Sequence, residues 1–388
     1  MIDIAKVRAE TPSCEGHIHF NNAGASPMPE PVKAATVRHI EREAEIGGYG
    51  AASEATAAID GFYAAFATLL NCDASEIAYL ENATRAWDAV FYGIDFRPGD
   101  RVITCMSEYG SNYLAFLHVA RVKGIEIDVA PNDATGQVSV KGIAALIGPK
   151  TRLIAITHIP TQGGLVNPAA EIGALARRHG IRFLLDACQS VGQMPLDVKA
   201  LGCDFLSGTG RKFLRGPRGT GVLYANREAL TEIHPPFIDI GAASWISRDE
   251  YQLHDDARRF ENWECNVAGK LGLAVAVRYA LDLGVEATWQ RVRHLSSTLR
   301  AELARDSRVQ LADLGEQQCG IVTFRRNDEA PQETARRLGE AGISVWVSEK
   351  DSARIDFEAR GISAVVRASV HYFNTEAEIG EMCRVALA

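Results

Sequence analysis

The chain has 388 residues, of which 47% are hydrophobic, and a formal net charge of −8 at pH 7. This length predicts two packed domains, because a single hydrophobic core stops growing near ~250–300 residues. The negative charge and the lack of any long run of Lys or Arg argue against nucleic acid or an anionic membrane as partner, and favour a small-molecule substrate.

The same composition argues against membrane insertion and secretion. No stretch reaches the ~18 consecutive apolar residues of a membrane helix, and the first residues lack the basic and apolar regions of a signal peptide. We therefore expect a cytoplasmic protein. The eight cysteines are scattered without Cys-x-x-Cys or Cys/His ligand spacing, so we expect reduced thiols and no metal site.

Short apolar runs alternate with helix-like segments through the first two thirds of the chain. Strands are predicted at residues 76–80, 101–105, 125–130, 152–157, 182–186, 205–208 and 221–224, with helices at 83–94, 111–123 and 168–179. Near-continuous apolar strands separated by helices indicate a mostly parallel sheet covered on both faces. The sequence thus predicts an α/β fold for this part.

The order of elements changes after about residue 243. Helices are predicted at 266–283, 285–305, 331–341 and 376–385, with strands at 320–324, 344–347 and 364–369. This order predicts a smaller C-terminal α+β domain. We expect a large domain of residues 26–284, a small domain of residues 285–388, and an N-terminal segment of residues 1–25 that packs with the small domain.

The chemical prediction rests on two residues, Asp186 and Lys212. Asp186 ends a buried strand, where open α/β sheets bind ligands, and Lys212 follows a Gly- and Ser/Thr-rich loop. Alone, the carboxylate could be a helix cap or a metal ligand, and the lysine could be a solvated loop charge. Together, an amine, a carboxylate and the phosphate donors Ser207, Thr209 and Arg211 are what pyridoxal-5′-phosphate (PLP) chemistry needs.

The sequence also resembles the class V aminotransferase family of fold type I PLP enzymes. This family includes cysteine desulfurases, isopenicillin N epimerase-like enzymes and carbon–sulfur lyases. The resemblance is carried by residues 20–29, 81–85, 157–164 and 367–375 together with the motifs around Asp186 and Lys212.

The resemblance implies a role for each matching residue. Lys212 would carry PLP as a Schiff base and move the Cα proton, and Asp186 would pair with the ring nitrogen. Gln189 and Thr161 would lie near the phenolic oxygen of the ring. The phosphate would be held at a helix N-terminus and by the lysine loop, through Thr84, the backbone N–H of Arg85, Thr209 and Arg211. Helix N-termini favour anions.

Substrate contacts are implied in the same way. Arg367 would bind the α-carboxylate of an amino acid, against the alternative of a structural salt bridge. Arg354 is either a second anchor or a structural residue, and Asn22 is expected at the substrate. Many relatives place a histidine on the ring where this chain has Gly110, so we assign the aromatic face to Tyr109.

The segment of residues 258–266 lies where family members reach into the active site of a partner subunit. The resemblance therefore implies a homodimer. Trp263 and Glu264 would line the neighbouring site, with core packing of Trp263 as the alternative.

For the reaction, we expect an amino acid bound as an external aldimine and a lyase that breaks a bond between the β-carbon and a heteroatom, of the C–S type. An aminotransferase and an amino-acid epimerase are the alternatives. A cysteine desulfurase is not expected, because such enzymes place a nucleophilic thiol on a loop and residues 347–361 contain no cysteine.

Overall fold

The computed structural model describes residues 2–388. The strands in chain order are β1 (Ile18–His19), β2 (Ile77–Leu80), β3 (Arg101–Cys105), β4 (Glu126–Ala130), β5 (Thr151–Thr157), β6 (Arg182–Asp186), β7 (Phe205–Thr209), β8 (Gly221–Ala225), β9 (Ala243–Ser247), β10 (Glu250–Leu253), β11 (Val309–Leu311), β12 (Ile321–Arg326), β13 (Ile343–Ser344), β14 (Trp346–Glu349) and β15 (Ala364–Ser369).

The helices connect these strands and cover their faces. They are α1 (Ile4–Ala9), α2 (Glu30–Ile46), α3 (Gly48–Glu54), α4 (Thr56–Leu70), α5 (Ala83–Phe91), α6 (Gly110–Lys123), α7 (Val140–Leu146), α8 (Ala169–His179), α9 (Val198–Leu201), α10 (Val267–Leu283), α11 (Val285–Leu303), α12 (Pro331–Glu340), α13 (Arg354–Ala359) and α14 (Glu376–Ala386). None of the helices within residues 2–388 is both long enough and apolar enough to span a bilayer.

A seven-stranded sheet in the order β2-β8-β7-β6-β5-β3-β4 forms the centre of the larger part of the fold. The neighbours from β7 through β4 pair in parallel, and β8 is antiparallel to both β7 and β2. Phe62 of α4 and Leu273 of α10 pack on one face, and Trp87 of α5 and Phe116 of α6 pack on the other. The predicted α/β fold with a mostly parallel, doubly covered sheet is confirmed.

A four-stranded antiparallel sheet in the order β11-β12-β15-β14 forms the second, smaller unit. Its hydrophobic cluster includes Leu295 of α11 and Met382 of α14, and it also takes in Val7 and Phe20 from the start of the chain. The short strand β1 pairs in parallel with β13. The N-terminal segment therefore packs on this sheet and brings residues 20–26 toward the larger one.

Glycines end several of the connecting helices. Helix α8 stops at Gly180, which adopts the left-handed conformation with φ of 64° and lies at the C-cap position. The last turn of α8 contains Arg177, Arg178 and His179, which suit the negative end of the helix dipole. The end predicted for this helix from the sequence is confirmed, and it directs the chain into β6, the strand that ends at Asp186.

Candidate active site

A cavity of about 410 Å³ lies at the carboxyl ends of the parallel strands. The strands β5, β6 and β7 end at this cavity with Thr157, Asp186 and Thr209. Loop and helix residues complete its wall, which is lined by Asn82, Ala83, Thr84, Arg85, Tyr109, Thr157, Ile159, Thr161, Asp186, Cys188, Gln189, Thr209, Arg211 and Lys212. This is the position at which open α/β sheets bind ligands, and it unites most of the predicted site residues.

Lys212 is buried in the loop between β7 and β8, with only 8% of its surface exposed. Burial lowers the pKa of the Lys212 amine, and the nearby Arg211 charge acts in the same direction. A lowered pKa leaves more of the amine neutral at a given pH. Lys212 is therefore better suited to act as a nucleophile or base than an exposed lysine.

The lysine loop is held by Arg215, a residue that sequence reasoning did not assign. Arg215 has a positive φ of 60°, and its side chain is 1% exposed. Its guanidinium donates to the carbonyl of Pro27 at 2.9 Å, the hydroxyl of Tyr372 at 2.9 Å and the hydroxyl of Thr11 at 2.6 Å. All three acceptors are neutral, and none is a carboxylate. Arg215 therefore fixes the loop, three residues after Lys212, through hydrogen bonds to neutral groups.

Asp186 is oriented from both sides. Its Oδ1 accepts the backbone N–H of Cys188 at 2.9 Å, and its Oδ2 accepts the side-chain amide of Asn112 at 2.9 Å. Gln189 also lines the cavity, and its amide donates to the carbonyl of Ala23 at 3.2 Å. These contacts join β6 to α6 and to the N-terminal segment.

The N-terminus of α5 borders another side of the cavity. Asn82 caps this helix, and its side chain accepts the backbone N–H of Arg85 at 2.9 Å. That N–H, which was predicted to bind phosphate, already has a protein partner. The hydroxyl-bearing Thr84 is exposed at the cavity, whereas the guanidinium of Arg85 lies 5.0 Å from the ring centre of Phe237.

Arg367 lies in β15 and reaches the cavity through Thr161. Its Nη1 donates to the carbonyl and the hydroxyl of Thr161, both at 2.9 Å, and its Nη2 donates to Asn21 Oδ1 at 3.2 Å. Its Nε is buried without a partner within residues 2–388. Burial lowers the pKa of Arg367 to about 10, with the Arg211 charge acting in the same direction, so the side chain stays cationic at neutral pH.

Two predicted substrate contacts lie elsewhere. The side-chain amide of Asn22 donates to the carbonyl of Ser369 at 2.7 Å, and its Oδ1 accepts the hydroxyl of Ser26 at 2.9 Å. Asn22 therefore ties the N-terminal segment to β15. Its neighbour Asn21 contacts Arg367 instead. Arg354 begins α13 at the surface, where it forms ion pairs with Asp351 at 2.6 Å and Glu358 at 2.9 Å.

Trp263 and Glu264 are also apart from the cavity in this chain. Trp263 is 58% exposed, so its side chain is not packed in the core of its own chain. Both residues line a separate groove together with Tyr49 of α3.

Residues 18–382 match the family model for aminotransferase class V. The chain belongs to the class V aminotransferase family. A probable cysteine desulfurase of Methanothermobacter thermautotrophicus is 31% identical to this class V protein over 379 residues, which cover 96% of this chain and 94% of the relative.

Solved structures agree with the family assignment. The apo structure of a cysteine desulfurase from Thermococcus onnurineus NA1 has a TM-score of 0.92 and 27% identity, and covers 99% of this chain and 97% of that one. The cystine C–S lyase C-DES, in complex with its reaction product cysteine persulfide, has a TM-score of 0.88 and 26% identity, and covers 97% of this chain and 99% of that one. The predicted fold type I architecture is therefore confirmed.

The class V protein is a PLP-dependent enzyme, as predicted. A further structure of C-DES holds glycine covalently linked to the PLP cofactor. The residues of this chain fit such a group. Gln189 Oε1 and Arg367 Nε are buried without partners within residues 2–388, and Arg211 and Arg367 supply positive charge near the single carboxylate of the cavity wall, Asp186.

The exclusion of a cysteine desulfurase, drawn from the cysteine-free residues 347–361, is wrong. Relatives that match nearly the whole class V chain carry that name. The physical reason is that breaking a C–S bond does not itself require a thiol on the enzyme. The product of C-DES is cysteine persulfide, so in that protein the sulfur leaves on a small molecule.

Proposed function

We propose that this PLP enzyme is a cysteine desulfurase, which breaks the Cβ–Sγ bond of cysteine. The observation that carries the proposal is the match along nearly the whole chain, in sequence and in fold, to proteins named cysteine desulfurases. The cavity supports it, since about 410 Å³ suits a cofactor with a small amino acid.

Lys212 and Asp186 take the central roles. PLP, when bound, draws electrons from the amino acid attached to it and so weakens the bonds at Cα. Lys212 holds the cofactor and then moves the proton at Cα, a task that its lowered pKa supports. Asp186 holds a proton at the ring nitrogen, and the donors on its two oxygens keep the carboxylate turned toward the cavity.

The remaining cavity residues bind the other ends of the cofactor. Thr84, Thr209 and Arg211 bind the phosphate, which the cationic wall of the cavity favours. Gln189 would contact the phenolic oxygen of the ring, and the aromatic face of Tyr109 would cover the ring in place of a histidine.

Arg367 binds the α-carboxylate of cysteine. Its partnerless Nε supports this role, because a buried donor without an acceptor is rare in folded proteins. A planar guanidinium fixes the orientation of the amino acid, and this orientation decides which bond at Cα is broken. Thr161 and Asn21 hold the guanidinium in place.

The sulfur passes to a thiol that is not part of the loop between β14 and α13, since that segment has no cysteine. Cys188 lines the cavity, but burial raises the pKa of its thiol and so disfavours the thiolate that would attack sulfur. An external thiol R–SH accepts the sulfur as R–S–SH. The carbon skeleton takes up a proton at Cβ and leaves as alanine.

The test is a product assay on the PLP-loaded enzyme with cysteine and dithiothreitol. We expect sulfide and alanine in equal amounts, and no activity in Lys212→Ala. Pyruvate and ammonia in place of alanine would overturn the proposal, because they report β-elimination, in which sulfur leaves with the electron pair of the Cβ–Sγ bond and the carbon skeleton then loses its nitrogen. Pyridoxamine phosphate formed without sulfide would overturn it as well.

We further propose that the enzyme is a homodimer. Its small-molecule partner, expected from composition, is the amino-acid substrate. Exposed aromatic side chains support this assembly: Tyr49, Trp245, Tyr251 and Trp263 are each 58–77% exposed. Large apolar side chains in such numbers are typical of a surface that is covered by another chain. Trp263 and Glu264 would then border the site of the partner. Cytoplasmic location stays a prediction from the sequence.

A further inference from the structure

A second carboxylate lies behind Asp186 and shares a donor with it. The side-chain amide nitrogen of Asn112 is 2.9 Å from Asp186 Oδ2 and 2.9 Å from Glu108 Oε1. One NH₂ group therefore bridges two carboxylates that belong to different elements, the end of β6 and the turn before α6. Both Glu108 and Asn112 are buried, and neither lines the cavity.

Glu108 is surrounded by donors. Its Oε1 also accepts the backbone N–H of Tyr109 at 2.9 Å and the hydroxyl of Thr157 at 2.5 Å, and its Oε2 accepts the hydroxyl of Thr104 at 2.7 Å. Burial raises the pKa of Glu108, these hydrogen bonds oppose the rise, and the charge of Asp186 adds to it. Such a set of donors is what a buried carboxylate needs in order to stay ionised.

We propose that Asn112 and Glu108 are positioning residues for the ring nitrogen of the cofactor and act through Asp186. Asn112 fixes the plane of the Asp186 carboxylate. The negative charge of Glu108 increases the affinity of the Asp186–ring pair for its proton, because a nearby anion stabilises a cation. The inference rests on the proposed role of Asp186.

The geometry favours this role over helix capping. Asn112 lies in the first turn of α6, which has no side-chain cap bond, and its Nδ2 donates to two carboxylates, whereas capping a backbone N–H needs an acceptor. A group with only a structural role would change stability when replaced. A positioning residue also changes the protonation of an atom it does not touch.

The experiment uses PLP labelled with ¹⁵N at the ring nitrogen and bound to the enzyme. In Asn112→Leu and Glu108→Gln we expect the ¹⁵N resonance to move toward that of unprotonated pyridine. We also expect PLP to bind about tenfold more weakly, since a lost hydrogen bond to a charged group has an effect of at least this size. Asn112→Ser, which keeps one donor, is expected to lie between wild type and Asn112→Leu.

Asn374→Leu is the matched control. Asn374 is equally buried and also donates to a carboxylate, Glu378 Oε2 at 3.0 Å, but it does not contact Asp186. It is expected to lower the unfolding temperature without moving the ¹⁵N resonance. Unchanged resonances in Asn112→Leu and Glu108→Gln, with a clear shift in Asp186→Ala, would overturn this inference and leave the proposed role of Asp186 in place. No shift in Asp186→Ala would remove the proposed role of Asp186 and the inference with it, while the desulfurase assay would stand independently.

Discussion

Several buried charged groups lie on the elements that meet at the cavity. Lys212, Arg215 and Arg367 are each less than 9% exposed, and Asp186 and Glu108 are buried beside them. Charges in a protein interior are unfavourable unless other groups compensate them. Arg215 is fully hydrogen-bonded, whereas Arg367 has neutral partners only and keeps a buried Nε without one within residues 2–388, so stability alone does not explain the cation at position 367. A site that receives the carboxylate of a substrate does explain it.

Arg367→Lys is the residue-scale test of carboxylate binding. We expect KM for cysteine to rise about tenfold or more with little change in PLP affinity, because lysine is a single point charge and loses the fork of donors. Steady-state kinetics and PLP titration measure the two effects. Arg354→Lys is the control, since the Arg354 guanidinium is already paired with Asp351 and Glu358 at the surface. An equal rise in KM in that variant would restore Arg354 as a substrate anchor.

Burial of His158 predicts a loss of stability in acid. Burial lowers the pKa of His158 to about 4, below the usual 6.5. Between these values the unfolded chain binds the proton and the folded chain does not, so unfolding becomes easier as the pH falls from 6.5 toward 4. The effect of this one residue is about 3 kcal/mol at the acid end of the window.

Denaturant unfolding of wild type and His158→Gln at pH 7 and pH 4.5 checks this prediction. The substituted amide can still contact Ser190, whose hydroxyl is 3.0 Å from His158 Nδ1. We expect the variant to lose less stability than wild type between the two pH values. His19 and His371, whose pKa values burial also lowers, remain in the variant, so part of the pH dependence is expected to persist. Equal losses in both proteins would contradict the prediction.

The sequence predicted some site residues better than others for a physical reason. Asp186 ends the buried strand β6 and Lys212 closely follows the buried strand β7, so the strand pattern places them at one edge of the sheet. Asn21 forms an isolated β-bridge and Asn22 begins the turn that follows it, so the two neighbouring side chains reach different partners. The β-bridge between Asn21 and Ser369 places Asn21, and not Asn22, against Arg367. This bridge joins positions 348 residues apart, so no local sequence pattern predicts it.

At the scale of elements, the strands of the central sheet were predictable and the helices α2 to α4 were not assigned. The strands β5 and β6 are almost wholly buried, so their apolar runs are continuous. Helix α2 buries only Val32 and His39 among its residues, and a stripe this narrow is easily missed. The hairpin β9–β10 has mostly exposed residues on both strands, so no alternation against a core marks it.

Glycines test the packing of helices. Gly173 lies in α8, where an added Cβ would collide with the carbonyl oxygen of Leu201, the last residue of α9. Gly173→Ala is expected to destabilise the fold by about 1–3 kcal/mol through overpacking. Gly380→Ala in α14 is the matched control, since an added Cβ there meets nothing within 4 Å. That change is expected to stabilise by about 0.5–1 kcal/mol. Equal effects of both substitutions in chemical denaturation would contradict this view of α8.

At the scale of the whole molecule, the two sheets meet around a single loop. Arg215 joins the lysine loop to Thr11 and Tyr372, and the His371 ring nitrogen Nε2 lies 2.9 Å from the carbonyl of Phe213, next to Lys212. The loop that carries the amine is thus held by the N-terminal segment and by residues that follow β15. Any movement of the smaller sheet would therefore shift Lys212 through these contacts. Arg367 would move together with that sheet, because it lies in β15.

The exposed hairpin gives the test of the homodimer. Trp245 of β9 is 76% exposed and Tyr251 of β10 is 60% exposed, and the two residues are paired across the hairpin. In a dimer these side chains are covered, and replacing them by charges makes burial unfavourable. We expect Trp245→Glu with Tyr251→Glu to shift the mass in light scattering from two chains to one.

Arg248→Glu is the matched control, because this residue lies at the exposed turn of the same hairpin and carries no large apolar surface. It is expected to leave the mass at two chains. If Trp263 and Glu264 border the partner's site, the monomeric variant also loses desulfurase activity while its circular dichroism stays that of the folded protein. A wild-type enzyme that is active as a single chain at assay concentration would overturn the dimer, and the exposed aromatic residues would then require another partner.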